Sequence, residues 1–406
     1  MRVLFLTHRL PYAPNRGDRI RSYHIARQLS RSSDVDVLSL THDDEEESHV
    51  ADLRRMVDRV RTARVPRVAN LCRAVAALPT SRPLTHVLLD APALGTTLAD
   101  LVAERRPDVV LAYCSGVARL VMEPALRGIP AVVDFVDVDS EKWRDLARVT
   151  PPPKAWIYRR ECRLLGRFES AVAYHAKAAL VVNEREHASL EALAPRARVH
   201  VLPNGIDLST FKPAIQPSSN ASVVFCGVMN YAPNEQAALW IAKAVWPLVR
   251  AERPDATLLL VGADPTPAVR ALAARDRSVT VTGTVPDVRP FLQSAAVAAA
   301  PLATARGIQN KVLEAIASGL PSVVTPTVFE GLPPEAAPAC RVAGSPEAFA
   351  ASILDLLWRT PGERRAMASR AHLEPLGWNQ RLAPLLDILR EAAGFRVVHP
   401  ALVSSR

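Results

Sequence analysis

Residues 305 to 324 read ARGIQNKVLEAIASGLPSVV, and the order of types in this stretch suits an anion-binding helix terminus. Asn310 fits an N-cap, Gly319 fits the residue just past the C-terminus and Pro321 cannot continue a helix, which bounds a helix of about nine residues. The free N–H groups and partial positive charge at its start favour negative charge. Arg306 and Lys311 add two cations and Gly307 permits close backbone approach, a set suited to a diphosphate. Glu314 follows Lys311 by three residues on the same helix face, where a carboxylate can accept hydrogen bonds from the two hydroxyls of a ribose. On spacing alone the two also read as an ion pair on an exposed helix.

A second set lies near the N-terminus. Gly17 and Asp18 follow the first apolar run and open an arginine-rich helix carrying Arg19, Arg21 and Arg27, again a place for an anion or for developing negative charge. Asp134, Asp137 and Asp139 stand where another apolar run gives way to a loop. Their spacing admits a metal site, a contact to a ligand hydroxyl or simple capping of the next helix; Asp137 lies just past the expected strand end. Arg54, Arg55, Arg59, Arg61, Arg64, Arg67 and Arg73 crowd one stretch, and Arg159, Arg163 and Arg167 recur every four residues. Such groups suit nucleic acid, anionic lipid or phosphorylated ligands, or are solvated faces.

These side chains need rigid elements behind them. Short apolar runs at 2–6, 35–40, 108–113, 130–135, 179–182 and 199–202 alternate with helix-compatible stretches at 19–31, 116–127 and 154–173. The turn PNGID (203–207) and a polar connector break the series. It resumes with runs at 223–226, 257–261, 279–282, 297–300 and 322–325, and helices near 234–252, 311–318 and 379–393. Near-continuous apolar strands alternating with helices predict parallel sheets covered on both faces, hence an α/β protein of two doubly wound Rossmann-like domains facing a cleft. The expected divisions are 1–205, a linker at 206–221, a second domain at 222–375, and 376–406 packing back toward the first.

The 406 residues exceed one ordinary core, and 49% hydrophobic with 22% charged residues is a globular composition. No apolar run reaches the length of a membrane span, and no signal peptide is evident. Five scattered cysteines give neither a disulfide frame nor a zinc site, so a cytoplasmic location is expected. No Walker loop, nucleophile elbow, histidine ligand set or complete dinucleotide glycine motif appears. The net charge of +9 raises a nucleic-acid reading, against which stand 5% aromatics and no recognition module.

Gly307, Lys311, Leu313-Glu314-Ala315 and Gly319-Leu320-Pro321 in this order resemble the nucleotide-sugar segment of retaining glycosyltransferases of family four, which adopt the GT-B fold. PNRGDRIRSYH (14–24) resembles the family's glycine loop, PNGID its interdomain turn, GVMNYAPNEQAALWIAKAVWPLVR (227–250) the first unit of the donor domain, and GTVPDVRPFL (283–292) the loop lining the base. VDFVDVDSEKW (133–143) most resembles a subgroup associated with exopolysaccharide and exosortase (PEP-CTERM) loci. One departure stands out: where members carry a first glutamate, position 306 holds an arginine, which cannot accept a sugar's hydroxyls.

The resemblance implies a metal-independent retaining hexosyltransferase with no cofactor, using UDP- or GDP-sugar and a glycan or polyprenyl-linked acceptor. It implies Arg306 and Lys311 at the diphosphate with Glu314 at the ribose. Val285 and Pro286 would face the base, and Gly227, Asn230, Gly307 and Ile308 would line the donor. Gly17, Asp18 and Asp137 would serve the acceptor side, Asp137 counted with Arg306 and Lys311 as catalytic. No nucleic-acid partner is expected, while the arginine groups would seat the first domain on the cytoplasmic face of the inner membrane. The alternatives are a nucleotide-sugar epimerase of the same fold and a basic nucleic-acid- or membrane-binding protein without catalysis.

Overall fold

The computed structural model describes residues 1–13, 17–305 and 308–396, with Gly17 and Asp18 described in backbone only. Among these residues thirteen strands form two sheets, and every pairing is parallel. The first holds β1 (Arg2–Thr7), β2 (Asp34–Thr41), β3 (Arg59–Arg64), β4 (Val109–Tyr113), β5 (Ala131–Val136), β6 (Ala178–Val181) and β7 (Val199–Val201), ordered β3-β2-β1-β4-β5-β6-β7. The second holds β8 (Ser222–Cys226), β9 (Thr257–Val261), β10 (Val279–Val281), β11 (Val297–Ala300), β12 (Ser322–Val324) and β13 (Cys340–Val342), ordered β10-β9-β8-β11-β12-β13. Both sheets reverse strand order once, at β1/β4 and at β8/β11. Open α/β sheets bind ligands outside the carboxyl ends at such a reversal.

The interior strands are buried on both faces, whereas the edge strands β3, β7, β10 and β13 are only partly buried. Val3 and Phe5 point into one cluster with Ile25 and Leu111, whereas Leu4 and Leu6 point into the other with Leu38 and Val110. The chain divides into two compact units, Met1–Gly205 with Trp378–Arg406, and Ile206–Gly377. Trp378, Leu382, Leu385 and Leu389 are buried in the same cluster as Val3 and Phe5, so the last helix, Ala383–Ala392, belongs to the first unit's core. Gly205 is required where the chain leaves that unit, because a Cβ there would lie 2.7 Å from the backbone of Trp378.

Two strands are hidden in the sequence, β3 and β13, and both are sheet edges. β3 reads RVRTAR and buries only Val60 and Ala63, so its arginines mask it. The helix expected at 116–127 is broken into Ser115–Ala118 and two 3₁₀ turns. Pro124 has no N–H to donate there. The 232–252 stretch passes through a π turn at Ile241–Val245 just before Pro247, which relieves the clash a proline makes inside a helix.

Candidate functional site

In the second unit the reversal falls between β8 and β11; Gly227 and Asn230 follow β8, Ile308, Lys311 and Glu314 follow β11, and Val285 and Pro286 follow β10. The helix after β11 spans Asn310–Ala317, with Gln309 rather than Asn310 in the N-cap position and no side-chain cap, so Asn310 is its first turn. Its end is a Schellman motif: Gly319, at φ +88°, donates to Ile316, and Leu320 donates to Ala315. This fixes the register that places Lys311 and Glu314 one turn apart.

Lys311 is held from two sides. Its Nζ donates to Asn234 Oδ1 at 2.6 Å and lies 4.9 Å from the centroid of the Phe225 ring. Asn234 in turn donates from Nδ2 to the Val228 carbonyl at 2.9 Å, tying the β8 loop to the cation. Burial lowers Lys311 to about 8 and raises Glu314 to about 7, the latter against the pull of Lys311. Both shifts oppose the charged form; an anionic ligand would favour the charged lysine, and hydroxyl donors the charged glutamate.

The backbone here is drawn close. A Cβ on Gly227 would meet the Asn234 amide at 2.8 Å, and one on Gly262, at φ +148°, would meet the Gly227 carbonyl at 1.8 Å. Asn230 is exposed and faces Asp264 at 3.5 Å, itself at φ +53°. Val285 packs on the cluster that includes Ala315 of the Lys311 helix, and Pro286 beside it is exposed. Ile308 packs against the main core of the unit. Arg306 and Gly307 lie outside the described residues.

In the first unit the three aspartates separate. Asp134 is fully buried, accepts from Arg21 Nε at 2.8 Å and receives Val136 N–H at 3.1 Å. Asp139 opens the helix Asp139–Val149 and accepts from Ser115 Oγ. Asp137 alone is exposed, and the protein around it together with Asp139 raises its pKa. Its loop is clamped: Glu186 accepts Val138 N–H at 2.8 Å, and buried Glu169 accepts both N–H and Oγ–H of Ser140. Cys114 at φ +69° and Val136 at φ +66° flank the same strand ends, a conformation side chains resist and functional loops store. Gly17 and Asp18 open the helix Gly17–Leu29.

Sequence reasoning missed Asn234, Gly262, Glu169 and Glu186. Asn234 stood inside the quoted PNEQA segment, but nothing in its spacing announced a partner 77 residues away. Among the described residues no group of three His, Cys, Asp or Glu could hold a metal ion, and no helix is long and apolar enough to cross a membrane. The arginine crowd at 54–73 is largely neutralised: Arg59 pairs with Asp36 and Glu104, Arg61 with Glu104, Arg64 with Asp44 and Glu47, and Arg55 with Asp52.

Residues 17–205 match the family model described as glycosyl transferase 4-like domain, and residues 220–358 match that of glycosyl transferases group 1. The chain is thus a glycosyltransferase of the GT-B type. A sucrose-phosphate synthase from Thermosynechococcus elongatus shares its fold at TM-score 0.65 and 16% identity, over 96% of this chain and 98% of that one. Anabaena HepE in complex with UDP and glucose aligns at TM-score 0.61 and 16% identity, over 95% and 99%. A variant of S. aureus TarM bound to UDP and glycan ligands aligns at TM-score 0.63 and 10% identity, over 96% and 100%. No curated protein sequence matches the chain.

Proposed function

We propose that the protein moves a hexosyl group from a nucleoside diphosphate sugar to a glycan acceptor carried on a polyprenyl lipid, with retention and without a metal, in exopolysaccharide assembly on the cytoplasmic side of a membrane. The observation that carries the reading is Lys311, desolvated on the Phe225 ring at a helix start beside the β8/β11 reversal and fixed by Asn234. Lys311 and Arg306 take the diphosphate, Glu314 the ribose, and Val285 and Pro286 the base. Gly227, Asn230, Gly307 and Ile308 complete the donor side in the second unit. Gly17, Asp18 and Asp137 serve the acceptor in the first. UDP in the HepE complexes supports uridine over guanosine.

As the C1–O bond to the diphosphate breaks, Lys311 and the helix N–H groups stabilise the growing negative charge. The acceptor oxygen bonds to C1 on the face the leaving group departs, and its proton passes to the leaving phosphate. Thermal-shift titration with UDP, GDP and their sugars tests this, with and without chelator. Saturating UDP at a hundred times its Kd adds about 2.7 kcal/mol, and that shift is lost in Glu314→Ala. No shift with any nucleotide refutes the donor site; consumption of donor without acceptor would make the protein an epimerase instead.

A further inference from the structure

The helix Arg67–Ala77 in the first unit is amphipathic the wrong way round for a soluble protein. It buries Asn70, Ala74 and Ala77, and exposes Val68 (81%), Leu71 (63%) and Val75 (64%). Much of its attachment is polar: Asn70 Nδ2 donates to the carbonyls of Leu88 and Asp90 at 3.2 and 2.7 Å. At its C-terminal end Arg160 donates to the carbonyls of Ala77 and Leu78. Only the small Ala74 and Ala77 make apolar contact beneath it, with Val87 and Leu84, and the large apolar side chains of the helix are left in water.

At 3.6 residues per turn, Val68, Leu71, Cys72, Val75 and Ala76 share one arc, with Arg67 on one margin and Arg73 on the other. All seven are exposed. From Arg59 to Leu89 the sequence has no Asp or Glu. One helical turn before Arg160, Trp156 is 63% exposed on the adjoining helix Lys154–His175. An apolar stripe edged by cations, with an exposed tryptophan nearby and no carboxylate along the segment, complements an anionic interface rather than a protein surface of mixed charge.

We propose that this face docks on an anionic lipid bilayer, the helix lying in the headgroup plane with Val68, Leu71 and Val75 inserted and Arg67 and Arg73 at the phosphates. The inference rests on this helix and not on the donor chemistry, so lipid binding is read without sugar nucleotide. Cys72 lies on the same arc and is the one exposed cysteine, so a polarity-sensitive fluorophore placed there reports insertion.

The full chain is titrated with vesicles of phosphatidylcholine alone and of phosphatidylcholine with phosphatidylglycerol, by co-sedimentation and by the Cys72 probe. Binding with a blue shift is expected on the anionic vesicles, weakening with salt. Leu71→Asp with Val75→Asp abolishes it, and Arg67→Gln with Arg73→Gln weakens it about tenfold or more. Because all four positions are exposed, the circular dichroism and UDP-induced shift of both variants should match the wild type. Absence of binding to anionic vesicles, or binding indifferent to the Leu71/Val75 change, overturns the proposal. So does a concentration-dependent dimer that this change dissociates, which would make the face a contact between copies.

Discussion

Lys311 and Glu314 are charged groups kept where burial opposes their charge, at about 8 and about 7. Binding of a nucleoside diphosphate needs the lysine protonated and the glutamate ionised, so the sign of each limb follows directly. Affinity for UDP should rise as pH passes about 7, where Glu314 loses its proton, and fall as pH passes about 8, where Lys311 loses its own. Calorimetric titration across this range should give a narrow maximum between them, and Lys311→Ala should remove the upper limb. The same substitution should cut turnover about a hundredfold, the scale of losing one donor that stabilises transition-state charge; an unchanged rate would displace Lys311 from the mechanism. The i,i+3 spacing of this pair was legible in the sequence. What was not is Asn234, because a hydrogen bond across 77 residues leaves no local pattern, nor the mutual approach of Gly227 and Gly262, which depends on two loops meeting.

Loops at strand ends are held by buried carboxylates. Glu169, fully buried and accepting both Ser140 groups, is raised to about 8 chiefly by burial. A native pKa above the unfolded value means the folded state holds the extra proton, so stability is full below about 4.5 and declines as pH rises toward about 8. Glu169→Gln, which mimics the protonated acid, should flatten that decline in melting temperature between these limits; an unaltered slope would assign the pH dependence elsewhere. Most strands were legible, since an interior strand of a parallel sheet is apolar on both faces. The edge strands β3 and β13 were not: RVRTAR buries two residues of six and looks like a basic cluster. Its ion pairs with Asp36, Glu104, Asp44 and Glu47 turned an apparent patch into internal neutralisation. Among the three aspartates the sequence could rank only by distance from the strand end, because the partner of Asp134 is Arg21 in another element.

At the scale of the whole chain the second unit is an insertion in the first, which opens at Met1, is interrupted after Gly205, and closes with Trp378 and the helix that follows. The second unit begins and ends side by side, Ile206 donating to Leu376 at 2.9 Å and bridging Gly377. A fragment of residues 206–377 should therefore fold alone and melt cooperatively, whereas a chain ending at 377 should lose the first unit and keep the second. Two separate melting transitions in the intact protein, one of them missing after truncation, would be the calorimetric signature. The same arrangement orders events during synthesis. The second unit has all its residues while the first still lacks Trp378, Leu382, Leu385 and Leu389, so the underside of β4 and β5 waits uncovered on the ribosome until the helix Ala383–Ala392 is made, and that interval is when a nascent chain is most exposed to aggregation or to a chaperone.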